Sequence, residues 1–198
     1  AGQEPDPTTG AIMTPVYLTS TYVQEAPGKH KGYDYSRSSH PTRAALEKNL
    51  AALEGAKYGL CFASGLAAEN TIFNLLRSGD HVVSCRDLYG GSYRLFTKVW
   101  EKVGIEFSFV NAYNVGEIAP AIKKNTKFLW LESPSNPLLT VTDLAEAVKV
   151  AHAHGVKVVV DNTFATSYLQ PPLALGADIV VHSPTKYMGG HSDVVGGA

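Results

Sequence analysis

Five short runs constrain the fold more than anything else in the chain: 81–85, 105–110, 127–131, 156–160 and 179–181. They are so rich in Val, Ile, Leu and Phe that neither face could be left in water, and strands buried on both faces belong to a largely parallel sheet. Helical stretches separate them. Thr42 is placed to cap a helix carrying Leu46, Leu50 and Leu53, which Gly55 stops. A further short strand, Leu60 to Ala63, leads through Ser64-Gly65 into a helix running to about Leu76. Others are predicted from Ser92 to Val103, from Val115 to Lys124 (weakened by Pro120), and from Asp143 to His154. In the last of these, Leu144, Ala147, Val148 and Ala151 form one apolar face. This β-α-β-α alternation predicts an α/β fold, a mostly parallel sheet covered by helices. A chain of 198 residues can bury one sizeable core of this kind.

Residues 1–40 show no usable periodicity and are broken by Pro5, Pro7, Pro15 and Pro27. They are read as an irregular N-terminal arm, and 41–198 as the α/β domain. So long an arm is unusual within a compact domain, and it either lies on another subunit or is functional. Hydrophobic residues make up 44% and charged residues 18%, which excludes a disordered chain. Lys plus Arg number 17 against 18 Asp plus Glu, so no single-sign field exists to recruit nucleic acid or an anionic membrane. Cys61 and Cys85 lack metal-type spacing and read as buried thiols in a reducing compartment, and the histidines form no metal set. No run approaches the roughly 18 apolar residues of a membrane span, and 1–10 has no apolar leader core. The expected setting is the cytoplasm. The chain begins without Met and stops at Val194-Val195-Gly196-Gly197-Ala198, where another strand is expected to open, and is read as a piece of a longer polypeptide.

In parallel sheets ligands gather beyond the carboxyl ends of the strands. The polar clusters Ser64-Gly65, Tyr89, Glu132 to Asn136, Asp161 to Thr163 and Ser183 to Lys186 all fall there. After Ile179 to Val181 come two hydroxyls, Ser183 and Thr185, and then the amine of Lys186. Alone, that sequence also describes a surface lysine after a buried strand. Its chemistry suits pyridoxal 5′-phosphate, whose phosphate needs anchoring and whose aldehyde needs a lysine for a Schiff base. Asp161, directly after Val158-Val159-Val160, is poorly hydrated, and either a protonated pyridine nitrogen or backbone amides at a turn would compensate it. Tyr89 beside Gly90-Gly91 can lie flat on a ring or merely line a turn. Arg37, in Tyr35-Ser36-Arg37, can grip phosphate with its planar fork or belong to a polar loop.

Taken in order, Tyr35-Ser36-Arg37, Ser64-Gly65-Leu66-Ala67-Ala68, Leu88-Tyr89-Gly90-Gly91, 132–137, 160–164 and 183–187 cover nearly the whole chain. On these motifs it resembles the trans-sulfuration (cysteine and methionine metabolism) family of pyridoxal-phosphate enzymes, of the aspartate-aminotransferase-like fold (fold type I). The resemblance implies that Lys186 forms the Schiff base and moves protons, Asp161 pairs with the pyridine nitrogen, and Tyr89 stacks on the ring. It implies that Ser183, Thr185 and the Gly65 and Leu66 amides hold phosphate, with Tyr35 and Arg37 reaching a neighbouring subunit's phosphate. Asn136 would lie near the cofactor's phenolic oxygen and the substrate carboxylate, and Arg94 would be a substrate contact. Pro184 and Ser39-His40 depart from the family pattern, and the carboxyl-terminal small domain is absent from these residues. The implied activity is that of a carbon–sulfur lyase taking a small sulfur amino acid, with γ-elimination of cystathionine the leading expectation. γ-Replacement to make cystathionine, β-elimination from it, and elimination from methionine are alternatives, and Gly91 speaks against the last. The implied assembly is a homo-oligomer, with a dimer as the minimal unit and a tetramer expected. A non-catalytic binding protein on the same fold is the contrasting reading, and Lys186, Asp161 and Tyr89 together argue against it.

Overall fold

The computed structural model describes residues 1–198, in two compact units, Ala1–Cys61 and Phe62–Ala198. In the first unit the segment before residue 40 is stitched by short antiparallel bridges, Thr21 to Tyr35 and Ala26 to Lys29. Helix α1 (Pro41–Glu54) follows. Its cap is His40 in extended conformation, with Pro41 in the first turn, so the cap lies two residues before the expected Thr42. Proline at a helix start loses nothing, because that N–H has no intrahelical acceptor. Thr42 Oγ1 instead accepts from Tyr17 N at 3.0 Å. Of the predicted apolar face only Leu50 is buried, while Leu46 and Leu53 stay 47% and 46% exposed.

The second unit is built on five parallel strands, β1 (His81–Cys85), β2 (Glu106–Val110), β3 (Thr126–Glu132), β4 (Lys157–Asp161) and β5 (Ile179–Val181). Their order is β2-β1-β3-β4-β5, and every pairing is parallel. The chain lays β2 on one side of β1 and β3 on the other, so the direction of winding reverses between β1 and β3. That reversal opens a crevice at the strands' carboxyl ends. All of β1 and nearly all of β3 and β4 are buried, as their apolar runs require. Trp130, Phe73 and Phe96 are wholly buried, with Phe73 and Phe96 rings 4.7 Å apart and Trp130 5.5 Å from Phe73.

The connecting helices are α2 (Gly65–Phe73), α3 (Gly90–Leu95), α4 (Ile118–Ala121), α5 (Leu144–Ala153) and α6 (Thr166–Leu169). Helix α5 follows its sequence pattern closely: Asp143 caps it by accepting from Glu146 N at 3.0 Å, and Leu144, Ala147, Val148 and Ala151 are the buried face. Helix α2 ends three residues short of the expectation. The helix expected to reach Val103 is regular only to Leu95, then widens into a π-helical turn over Phe96–Trp100 and tightens at Glu101–Val103. The widening carries Phe96 and Trp100 together onto Phe73, whose ring is 5.6 Å from Trp100. Pro120 limits the next helix to a tight turn, Val115–Glu117, plus α4. The strand expected at Leu60 to Ala63 reduces to one antiparallel bridge, Phe62 to Gly197. Ala198 and His182 likewise exchange backbone hydrogen bonds at 2.9 and 3.0 Å. No helix is long and apolar enough to cross a membrane.

Candidate active site

A cavity of about 260 Å³ lies at the carboxyl ends of the strands. Its wall includes Gly65, Leu66, Tyr89, Asn136, Asp161, Ser183, Thr185 and Lys186. These expected residues come from five separate stretches of sequence, and the sheet brings them together.

At one wall, Ser64 caps α2 by accepting from Ala67 N at 3.2 Å. The first amides of a helix have no acceptor within it and suit an anion. Gly65 has to be glycine here, since a Cβ would stand 2.9 Å from Ser183 Cβ. The start of α2 and the Ser183 hydroxyl therefore face each other at close range.

The loop after β5 is held from both ends. Ser183 N donates to Thr163 Oγ1 at 2.9 Å, and Lys186 N donates to Ser183 O at 3.0 Å. Thr185 Oγ1 donates to Gly196 O at 3.2 Å and accepts from Gly196 N at 3.0 Å. The Pro184 carbonyl accepts from Gly189 N at 2.8 Å. Lys186 sits between this cavity and a neighbouring one of about 590 Å³, which it lines with Phe164 and Thr185.

Asp161 ends β4 and is buried, with Oδ1 accepting from Thr163 N at 2.9 Å. Burial raises its proton affinity, against the opposing pull of the Thr163 hydrogen bonds and His182. Glu132, at the end of β3, accepts from Tyr89 N at 2.8 Å through Oε2. Its carboxyl is pushed up to about 8 by burial and then by Asp161. This bond spans the crevice between β1 and β3 and holds Tyr89 at the cavity. The Tyr89 ring lies where a side chain on residue 91 would stand, so Gly91 is what lets the ring settle. Asp87 orders the loop bearing Asn136: it accepts from Ser135 Oγ and, at 3.2 Å, from Leu138 N.

Glu69 and Thr163 were assigned no role by sequence reasoning. Glu69 borders the cavity from α2, and its pKa is about 8 through burial and the nearby Asp161 charge. Thr163 joins Asp161 to the Ser183 loop by the two bonds above. Arg94, in α3, is not among the cavity's lining residues. Tyr35 and Arg37 belong to the first unit, where the guanidinium stands 5.1 Å over the Tyr35 ring and donates to its hydroxyl at 3.3 Å. Cys85 is buried, with its thiol pushed far up by that burial. Cys61, expected to be buried too, is only half-buried, and its thiol is pushed up to about 11 by loss of hydration.

A lysine, a buried carboxylate, an aromatic ring and an anion-ready helix start around one cavity suit pyridoxal phosphate, on a parallel sheet of fold type I. The description "Cys/Met metabolism PLP-dependent enzyme" matches residues 1–198, and the chain belongs to that family. It is 53% identical over its full length to a protein of Herpetosiphon aurantiacus named probable cystathionine gamma-synthase, covering 62% of it. It is 54% identical to a Coxiella burnetii cystathionine beta-lyase, again over its full length and 51% of that protein. The crystal structure of cystathionine gamma-lyase from Lactobacillus plantarum, complexed with L-serine, superposes with a TM-score of 0.96 at 47% identity. That match covers 99% of this chain and 51% of the other. The chain thus spans about half the length of its relatives.

The cavity fits the cofactor. Ser183, Thr185 and the start of α2 would take its phosphate, Asp161 its ring nitrogen, Tyr89 its ring face, and Lys186 its aldehyde. The buried, unpartnered Oε2 of Glu69 marks a wall that awaits a polar occupant.

Proposed function

We propose that the protein to which this chain belongs is a carbon–sulfur lyase that cleaves cystathionine at the Cγ–S bond. With water, the products are cysteine, 2-oxobutanoate and ammonia. What carries the reading is the convergence of Lys186, Asp161 and Tyr89 on one cavity. Bound pyridoxal phosphate supplies an aldehyde that takes up the substrate amine and a ring that stores the electron pair released at Cα. The chain's own groups do the rest. Asp161, desolvated and fixed by Thr163, keeps the ring nitrogen protonated. Lys186 takes the proton from Cα and, once it has given that proton up again, its flexible stem lets the free amine take another from Cβ, which a γ-leaving group requires. Tyr89 protonates the departing sulfur. Asn136 orients the phenolic oxygen and the substrate carboxylate, with Arg94 as a further substrate contact.

Residues 1–40 are proposed as an arm reaching a neighbouring subunit, with Tyr35 and Arg37 completing that subunit's phosphate site. The assembly is then a homo-oligomer with a dimer as its smallest active unit, expected as a tetramer in the cytoplasm. Elimination from methionine is disfavoured by Gly91, since the family resemblance leads one to expect a cysteine after Tyr-Gly in an enzyme of that activity. The second reading is β-elimination or γ-replacement, which the same cavity supports and two of the relatives' names suggest. Product analysis with the full-length protein and cystathionine decides between them. Cysteine with 2-oxobutanoate is expected; homocysteine with pyruvate, or net synthesis from an activated homoserine, as the dominant activity overturns the γ-lyase reading.

A further inference from the structure

One group in the cavity has no task in the reaction just described. Glu69 lies in α2 one turn beyond Gly65, so the two share a helix face. The residue is 2% exposed. Ser92 Oγ, itself buried, donates to its Oε1 at 2.8 Å, which sets the rotation of the carboxyl. The other oxygen, Oε2, is fully buried and has no partner. Buried polar atoms are nearly always hydrogen-bonded, and an exception calls for a partner such as a bound water, an ion or a ligand. The side chain borders the same cavity as Asp161, Tyr89 and Lys186, so the occupant of that cavity is within its reach.

We propose that Glu69 is a further cofactor-binding residue, whose carboxyl offers Oε2 as a hydrogen-bond donor to the pyridoxal phosphate held beside Asp161. The inference rests on the family's cofactor occupying this cavity. With Ser92 donating to Oε1, that atom acts as the carbonyl oxygen and Oε2 carries the proton. Burial, reinforced by Asp161 and Glu132, keeps the acid protonated up to about pH 8. The charged and titratable groups around it are Asp161 at the end of β4, Glu132 at the end of β3, Tyr89 after β1, and Lys186 after β5. Once ionised, Glu69 loses its donor and adds negative charge beside a ligand whose phosphate already makes it an anion. Affinity should therefore fall as pH rises through about 8.

The test uses the full-length protein, stripped of cofactor with a carbonyl reagent and titrated with pyridoxal phosphate while the absorbance of the bound form is recorded. In Glu69→Gln the amide oxygen still accepts from Ser92 and the NH2 replaces the acid's donor, but nothing ionises. Its dissociation constant should lie within about threefold of the parent's near pH 7. Towards pH 9 the parent should lose about tenfold more affinity than the variant. Glu69→Leu should bind about tenfold more weakly at neutral pH, with a shifted absorbance maximum. The proposal fails if Glu69→Gln keeps the parent's full pH dependence, or if a folded Glu69→Leu binds as tightly as the parent with the same spectrum. Should Glu69→Leu not fold, the Gln comparison is decisive. A parent protein that takes up no pyridoxal phosphate would fail the cofactor reading itself, which is a separate outcome.

Discussion

The carboxyls of Glu69, Glu132 and Asp161 end at one cavity, and what each does depends on whether it keeps its proton. Burial pushes both Glu132 and Glu69 up to about 8, and each accepts a hydrogen bond on one oxygen, from Tyr89 N and Ser92 Oγ respectively. Asp161 also has its proton affinity raised by burial, opposed by a backbone amide and a hydroxyl from Thr163, much as Ser92 opposes the rise at Glu69 and the Tyr89 and Asn136 amides oppose it at Glu132. A pyridinium nitrogen opposite it would complete the charge pair that burial otherwise opposes. Replacing Asp161 by Ala should leave cofactor bound, by absorbance, while lowering kcat on the order of 10³-fold, because the ring stores charge less well. A near-normal rate with cofactor bound would show that the electron sink is controlled elsewhere. Asp161 was legible in the sequence because it follows three buried valines directly, a place where a carboxylate has no water. Glu69 was not. Helical glutamates usually face solvent, and α2, nine residues long, is too short for a periodicity that would place this one indoors. Its apolar neighbours Leu66, Ile72 and Phe73 were the available signal.

The five sheet strands were the most legible elements, because double-sided burial writes itself into nearly every residue, and their boundaries lie within a residue of those expected; the strand expected at Leu60 to Ala63 is instead a single bridge. Helix α5 was readable for a related reason, since one face of it is apolar at helical spacing and Asp143 caps it. The π-helical turn after α3 was not, because nothing local distinguishes it; it answers to the aromatic cluster of Phe73, Phe96 and Trp100, which is a tertiary demand. His81 shows how an element can carry a titration of its own. It is fully buried in β1, with Nδ1 2.7 Å from Thr126 Oγ1 on β3 and Nε2 2.9 Å from Ser108 Oγ on β2. Burial, aided by Lys123 and opposed by Glu106, depresses its pKa below 6.5. The neutral ring is thus the folded form. The stability it contributes is present above about pH 6.5 and is lost as pH falls through the depressed value. Denaturant melts of the parent should shift to lower midpoints between pH 7 and pH 5, and His81→Asn should be less stable at pH 7 with a shallower acid slope. An unchanged slope in the variant would place the acid sensitivity elsewhere.

At the scale of the whole molecule, the order of motifs along the chain made the family and its fold legible, since a parallel sheet with its ligand end defined needs few other facts. The reach of residues 1–40 was not, because an arm without a core of its own shows its partner only in an assembly. If Tyr35 and Arg37 complete a neighbour's phosphate site, mixing Arg37→Ala chains with Lys186→Ala chains should restore part of the activity, since one site in each hybrid dimer regains both residues. No recovery, with hybrids shown to form, would refute a shared site. The cavity also has a bearing on how the protein is made. Its walls are collected from Ser64 through to Val195, and the loop bearing Lys186 is braced by Gly196, Gly197 and Ala198 through bonds to Thr185, Phe62 and His182. Contacts between positions so far apart in sequence form late and slowly. A chain cut before Gly196 would therefore own the lysine and yet lack the bonds that hold its loop against the chamber.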